Sequence, residues 1–287
     1  MIAIYKKELK GYLTSMTGYI FIAIILLLEG IYFTAYAIQS AYPAFEVTLS
    51  AITSLFLILV PVLTMKTIAE ERKQKTDQML LTYPVSVSKV IAGKYLALVT
   101  VYLIPMAVIS FYPLIMTKYG TVSLPMAYTG VFGFVLLGCA QIAIGMFMSS
   151  LTENPVVAAV MCFILLFLCY MLSGIETLIS DTSMTSLVIY MLMILAVAGI
   201  VYYMLQNYLI AGIIGVIGEG VLVITYLVDS TLFESSIHKF LEIFNINAHF
   251  ENFVSGILDI QGVVYFLSVI VLFVFLSIQT ITKRRWN

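Results

Sequence analysis

The chain has 287 residues, of which 62% are hydrophobic and only 10% are charged, whereas an ordinary soluble domain carries roughly 25% charged residues. The formal net charge is only -1, so the positions of the charges along the chain say more than their sum. This composition excludes an ordinary soluble protein and predicts that most of the chain lies within a lipid bilayer.

The long apolar runs predict an all-α fold, a polytopic transmembrane helix bundle that forms a single membrane domain over residues 1–287. In lipid, backbone groups must be hydrogen-bonded within their own segment, so a run of about 20 apolar residues is expected to be a helix. The runs are too long and too uniformly apolar for the alternating strands of a barrel.

The first predicted element is an interfacial helix within residues 1–16. Ile2 and Leu9 lie on one face of this helix, and Lys6 and Lys10 lie on the other. Such a pattern is typical of an amphipathic helix at the membrane surface.

About eight apolar runs follow, and each is long enough to span the bilayer. They cover residues 18–40, 47–68, 90–117, 125–149, 156–178, 187–206, 209–228 and 262–282. The loop that joins the sixth run to the seventh carries no positive charge. These two runs could instead form a re-entrant pair, which would leave six true spans.

The positive charges predict the orientation of the bundle. Of the 14 lysine and arginine residues, all except Lys118 and Lys239 fall on one side of an eight-span arrangement. Positive residues in short loops mark the cytoplasmic side, so both termini are predicted to be cytoplasmic. The orientation of the spans already accounts for the clustering of basic residues on the cytoplasmic side, so no nucleic-acid partner is predicted. We expect a multi-pass protein in the cell membrane of a bacterium.

The outer segment, residues 229–261, separates the last two predicted spans and contains two short amphipathic patterns. Ile237 and Phe240 belong to the first pattern, and Phe250 and Phe253 belong to the second. Apolar residues spaced in this way predict two short helices that lie on the outer interface or cap the bundle. His238 and His249 also lie here, without further ligands close by, so no metal site is predicted.

The loop between the second and third spans, residues 69–89, is the segment most typical of contact with a partner. It starts as a charged extension of the second span, and Thr76 or Asp77 can cap a new short helix that Pro84 ends. Such a helix would present apolar tips to a groove on a cytoplasmic protein. The residues expected to carry this contact are Glu70, Glu71, Arg72, Asp77, Met79, Leu80, Leu81 and Pro84.

This loop resembles the cytoplasmic coupling loop of ABC transporter permeases of the type-2 exporter class, and it is closest to the gliding-motility-type branch. The resemblance rests on Glu-Glu-Arg at 70–72, Leu-Leu-Thr-x-Pro-Val-Ser at 80–86 and Gly-Lys-Tyr at 93–95. The lysine-rich start of the chain, the polar break at 149–155 and the basic end at 283–286 are similar too.

The resemblance implies a permease subunit, with export as its direction, whose interfacial helix and coupling helix rest on a nucleotide-binding subunit. The sequence has no G-x-x-x-x-G-K-[ST] phosphate loop, so ATP is expected on a separate ABC ATPase and this chain is predicted not to be an enzyme. No cofactor of its own is predicted. The class also implies a second permease, either an identical copy or a related subunit.

The polar break at 149–155 has two interpretations. It can be a second cytoplasmic contact, or Asn154 and Pro155 can simply cap and start the next helix.

Two carboxylates, Glu29 and Glu219, lie inside predicted spans, where an ionisable group is costly. One hypothesis places them on a transport pathway. Their use as proton-coupling groups would make the chain a secondary transporter, although no internal repeat supports that alternative. The other interpretation is a protonated carboxyl bonded to a neighbouring helix.

Two further classes are less well supported by the sequence. An intramembrane enzyme would need catalytic groups at membrane depth, and neither H-E-x-x-H nor G-x-S-x-G occurs. An ABC-linked mechanotransmission subunit normally carries a sizeable outer domain, which residues 229–261 are too short to form.

Overall fold

The computed structural model describes residues 1–39, 45–76, 86–118, 120–205 and 208–286. The described part of the chain is helical and contains no strand. Its contacts divide it into two compact units, unit 1 (Met1–Leu168 and Ile246–Asn287) and unit 2 (Cys169–Asn245).

The helices fall in the order that the apolar runs predict. In chain order they are α1 (Ile2–Thr14), α2 (Met16–Phe33), α3 (Phe45–Ile52), α4 (Phe56–Thr64), α5 (Ala69–Lys73), α6 (Val87–Ile109), α7 (Tyr112–Met116), α8 (Leu124–Leu151), α9 (Pro155–Leu178), α10 (Ser183–Leu205), α11 (Tyr208–Val228), α12 (Ser236–Glu242), α13 (Ala248–Val254) and α14 (Ile260–Trp286). A π-helical turn, Thr34–Gln39, extends α2, and 3-10 turns occupy Thr53–Leu55 and Ser230–Phe233.

Seven helical stretches in the described residues are long and apolar enough to cross a membrane. They are Met16–Gln39, Phe45–Lys73, Val87–Met116, Leu124–Leu151, Pro155–Glu176, Ser183–Tyr203 and Ile260–Arg284. An eighth forms only if Gly215–Val228 and Ser230–Glu242, which meet at a bend of 117°, count as one span. The predicted all-α polytopic bundle is confirmed. The bend follows the seventh run, and the bent pair is either a broken span or a re-entrant loop.

The core of unit 1 is built around α8, whose glycines let neighbouring side chains approach its backbone. The Tyr102 ring of α6 covers Gly138, and the Thr64 side chain of α4 covers Gly145, so that a Cβ atom at either glycine would lie 2.3 Å from the covering side chain. The hydroxyl of Tyr102 donates to the Phe134 carbonyl at 2.8 Å. These contacts fix α4 and α6 against α8.

The second amphipathic pattern of the outer segment, now α13, caps unit 1. Phe250 and Phe253 of α13 are both buried. The Phe253 ring fits between Gly133 of α8 and Gly262 of α14, where a Cβ atom would come within 2.6 and 2.8 Å of it. The sequence allowed this helix either to lie on the outer interface or to cap the bundle. The structure shows that it caps the bundle.

Unit 2 contains the antiparallel pair α10 and α11. Small residues line their contact, because a Cβ atom at Gly218 would lie 2.9 Å from Ile194, and Gly215 faces Ala198. Large apolar side chains such as Leu192 are exposed on the outside of this pair. Small residues between helices with apolar surface outside are typical of packing within lipid.

Candidate functional site

The amphipathic helix α1 is attached to the spans of unit 1 by two tyrosine hydroxyls. Tyr5 shares a hydrogen bond of 3.0 Å with Thr100 of α6. Tyr12 shares one of 3.0 Å with Thr67, in the turn between α4 and α5. Desolvation raises the pKa of Tyr12 above its ordinary value of 10.0, so the hydroxyl keeps its hydrogen. No residue of α1 is fully buried, as expected of an interfacial helix.

Lys94, near the start of α6, is the buried cation of the site. Its ammonium group lies 3.0 Å from Glu8 of α1 and 2.9 Å from Glu71 of α5, and it donates to the Thr67 carbonyl at 3.0 Å. The Lys94 side chain is only 2% exposed, against 14% for Glu8 and 19% for Glu71. Two carboxylates and a carbonyl thus satisfy the three donors of one lysine, and they join three helices.

Ser149, near the end of α8, holds the turn that follows α4. Its hydroxyl oxygen accepts from the backbone N–H groups of Ile68 and Ala69, at 3.2 and 3.1 Å, and its hydrogen goes to the Met65 carbonyl at 3.0 Å. One buried hydroxyl therefore satisfies three backbone groups that the break between α4 and α5 leaves without helical partners.

Arg72 of α5 extends this contact to the polar break between α8 and α9. The guanidinium is buried and donates from Nη1 to the Ser150 carbonyl, while Nη2 lies 3.9 Å from Glu153. Arg284, at the end of α14, contacts the same Glu153 oxygen at 2.5 Å. This hydrogen bond lowers the pKa of Glu153 below its ordinary value of 4.5 and keeps the carboxylate charged.

The break at 149–155 contains both features that the sequence suggested. Asn154 caps α9, because its side-chain oxygen accepts from the N–H of Val156 at 3.0 Å, and Pro155 begins the helix. Glu153, one residue earlier, carries the contacts with Arg72 and Arg284. The simple helix start is therefore present, and the break is also tied to α5 and α14.

The loop leaves α5 through a defined turn. Lys75 has a positive φ of 58°, and the bonds Thr76 N–H to Glu71 carbonyl and Lys75 N–H to Arg72 carbonyl form a Schellman motif. The turn ends α5 and redirects the chain just before the predicted coupling helix. Asp77, Met79, Leu80, Leu81 and Pro84 lie outside the described residues, so their predicted contacts stay a prediction.

We call this set of contacts the charged junction. It comprises Glu8, Glu71, Arg72, Lys94, Ser149, Glu153 and Arg284. It brings together the lysine-rich start, the loop, the polar break and the basic end, which are the four stretches that carried the sequence resemblance. The sequence pointed to Glu71 and Arg72, but it did not indicate that Lys94 pairs with Glu8 or that Ser149 holds the turn.

A groove of about 500 Å³ opens beside the charged junction, between α1 and α5. Glu70, the remaining predicted loop residue in the described range, lines it and accepts a 3.4 Å hydrogen bond from Gln74. Lys7 and Lys66 also line it. Acidic and basic groups together give a polar surface, which suits contact with a protein better than with an apolar molecule.

The two intramembrane carboxylates belong to different units. Glu29 lies in α2 of unit 1, is 0% exposed, and its Oε1 atom lies 3.1 Å from the hydroxyl oxygen of Thr48 in α3. Glu219 lies in α11 of unit 2 and is partly exposed. The structure therefore gives Glu29 a partner on a neighbouring helix.

The helical bundle, with the charged junction at its basic end, is that of a multi-pass membrane protein. The chain belongs to the ABC-2 family transporter proteins, because that family's sequence profile matches residues 33–233. The comparison with curated proteins finds no match. The chain is therefore an ABC permease of the type-2 class and a multi-pass membrane protein. Members of this family normally work with an ABC ATPase subunit and are generally not catalytic themselves.

Proposed function

We propose that this permease is driven by a separate ABC ATPase, which acts on the loop at 69–89 and on α1, and that the charged junction transmits the movement to the spans. We further propose that it exports its substrate, that it works with a second permease, identical or related, and that it resides in a bacterial cell membrane. We also propose that it belongs to the gliding-motility-type branch of its class, because its loop resembles the coupling-loop motif of that branch.

The observation that carries this proposal is the ion pair between Glu71 and Lys94. Glu71 lies at the start of the loop and Lys94 lies just after its end, and their charged atoms are 2.9 Å apart in a largely buried position. Both ends of the loop are thereby fixed to each other and, through Glu8, to α1. A partner that pushes on the loop would move the ends of α4, α6 and α1 as one body.

A second set of contacts supports transmission to α8 and α14. Arg72 and Ser149 connect the start of the loop to the end of α8, and Glu153 connects Arg72 to Arg284 of α14. Because α8 is the most buried helix of unit 1, movement at its end would displace the centre of the bundle.

The test is purification of the chain from its native membrane in a mild detergent, with identification of a co-purifying protein that carries a phosphate loop. We expect the ATPase to co-purify with the wild type and to be lost when Met79, Leu80 and Leu81 are all changed to Asp. Lys73→Asp and Thr76→Asp, which add negative charge at exposed positions of the same loop, serve as controls and should retain it. Wild-type recovery of the ATPase by the triple variant would contradict the proposal.

A further inference from the structure

Glu29 is a fully buried acid far from either surface of the bilayer. It lies 13 residues after Met16, the first residue of α2. At about 1.5 Å per residue, this places it about 20 Å along a span whose apolar core is about 30 Å thick. Its Oε1 atom lies 3.1 Å from the hydroxyl of Thr48, and its Oε2 atom is buried without a hydrogen-bond partner among the described residues.

The hydroxyl of Thr48 has two oxygen neighbours but only one hydrogen. It lies 2.6 Å from the Phe45 carbonyl and 3.1 Å from Glu29. A carbonyl can only accept, so the shorter contact uses the hydrogen of Thr48. The contact with Glu29 can then be a hydrogen bond only if Glu29 supplies the hydrogen. Both bonds exist together when Glu29 is protonated, and one of them is lost when it is charged.

Among the described residues, no positive group acts on the carboxyl of Glu29. A titratable neighbour of Glu29 is the phenol of Tyr112 in α7. Another acid, Glu46, lies on the adjacent helix α3. Glu46 is itself buried at 4% exposure. In the helices that pack on α2, which are α1, α3, α4 and α6, the described lysines lie in α1 and in the first two turns of α6, at the end of the bundle that carries the charged junction. A carboxylate at Glu29 would therefore be desolvated without a counter-ion.

Three aromatic rings close the space one helical turn beyond Glu29. Phe33 follows Glu29 by four residues in α2, and its ring centroid lies 4.8 Å from that of Tyr112 and 6.3 Å from that of Phe45. The rings of Phe45 and Tyr112 are 6.3 Å apart. This aromatic cap separates Glu29 from the end of the span, so water reaches the carboxyl only when α2, α3 and α7 move apart.

We propose that Glu29 is a proton-binding site of the permease, occupied in the conformation described here and emptied when the aromatic cap opens. On opening, the O–H bond of the carboxyl breaks, the electron pair stays on Glu29 and the proton passes to water. Reclosure requires a proton from water to return. The site does not depend on the ATPase coupling proposed above, because its geometry lies entirely within α2, α3 and α7.

The test is infrared spectroscopy of the full chain alone, in a detergent without ester groups, with the carbonyl stretch of protonated carboxyl groups as the readout. At neutral pH, where exposed carboxyls are ionised, we expect such a band in the wild type and its loss in Glu29→Gln. Thr48→Val removes the hydrogen-bond partner, so the band should persist at a shifted frequency. Glu46→Gln, the matched control on the neighbouring helix, should leave the band of Glu29 in place.

Glu29→Asp covers the case in which Glu29→Gln does not fold, because it keeps an acid at the site and should shift the band rather than remove it. A wild-type spectrum without a protonated-carboxyl band at neutral pH would overturn the proposal. A band that is unchanged in a folded Glu29→Gln variant, or in Glu29→Asp, would overturn it equally. None of these results depends on an ATPase, so they leave the proposed coupling untouched.

Discussion

The central helix α8 of unit 1 and the helix pair α10 and α11 of unit 2 are held in different ways. In unit 1, 78% of the apolar stretch of α8 is buried, and buried polar groups secure both its middle and its end. In unit 2, only 17% of the corresponding stretch of α10 is buried, and the contact with α11 depends on small residues. Substitutions at chemically similar positions should therefore have opposite effects in the two units.

The difference also bears on the proposed transmission of movement to the spans. Displacing the end of α8 breaks specific hydrogen bonds and ion pairs, so the charged junction has few alternative arrangements. The exposed apolar face of α10 and α11 can slide against lipid, because lipid chains offer no specific partner. The four predictions that follow test this contrast, in order of decreasing expected effect.

Lys94→Met should be the most damaging single change. It leaves the carboxylates of Glu8 and Glu71 close together and largely desolvated, and breaking such a buried pair costs about 3–5 kcal/mol. The free energy of unfolding in detergent measures this loss. Lys89→Met, on the exposed side of the same helix, should change it by less than about 0.5 kcal/mol. Equal effects of the two substitutions would argue against a buried lysine at the junction.

Glycine-to-alanine substitution should separate the two units by the sign of its effect. Gly138→Ala in α8 places a Cβ atom 2.3 Å from the buried ring of Tyr102 and should destabilise the protein by about 2–3 kcal/mol. Gly199→Ala in α10 meets no atom within 4 Å and should stabilise it by up to about 1 kcal/mol through helix propensity. Thermal unfolding of the two variants provides the comparison, and tolerance of alanine at Gly138 would contradict the packing around α8.

Ser149→Ala and Ser150→Ala should differ although both serines are fully buried neighbours. Ser149 serves three backbone groups of the turn after α4, so its loss should cost about 2 kcal/mol. Ser150 donates only to the Phe147 carbonyl in its own helix, so its loss should cost much less. Amide hydrogen exchange of Ile68 and Ala69 is the direct check, and it should accelerate in Ser149→Ala alone.

The contact between Glu153 and Arg284 should respond weakly to acid. The pKa of Glu153 is lowered in the folded protein, so the contact contributes fully above the ordinary value of 4.5 and is lost as the pH falls through the lower folded value. The effect should be small and sensitive to salt, because both groups are partly exposed. The distance between spin labels at the flanking positions 152 and 283 should change only in acid, and a change in the neutral range would disagree with this sign.

The sequence was sufficient to predict the elements, because composition and period determine them. The length of the apolar runs placed the spans, and the spacing of Phe250 and Phe253 indicated the short helix α13. The distribution of lysine and arginine identified the end of the bundle at which the charged junction lies. The loop motif also indicated the family, which the profile match then showed.

The sequence did not reveal which side chains contact each other. The apolar period of a helix shows which of its faces is buried, but not which residues of a neighbouring helix lie opposite that face. Lys94 reads as an ordinary basic residue at the start of a span, and its partner Glu8 lies 86 positions away. The partner of Glu29 is Thr48, a residue that no motif singles out. The interpretation of the chain as one domain stays a prediction, and so do the contacts of Asp77, Met79, Leu80, Leu81 and Pro84.

The central claim is that the charged junction couples the permease to its ATPase. The most direct test is permease-dependent ATP hydrolysis by the reconstituted complex in which Glu8→Gln, Glu71→Gln and Lys94→Met are combined. Lys94→Met alone leaves two buried carboxylates without a counter-ion, whereas this variant removes all three charges together. The combined variant should therefore fold and assemble. We predict a folded, assembled complex whose ATP hydrolysis no longer responds to the permease. Wild-type hydrolysis in that folded variant would contradict the account.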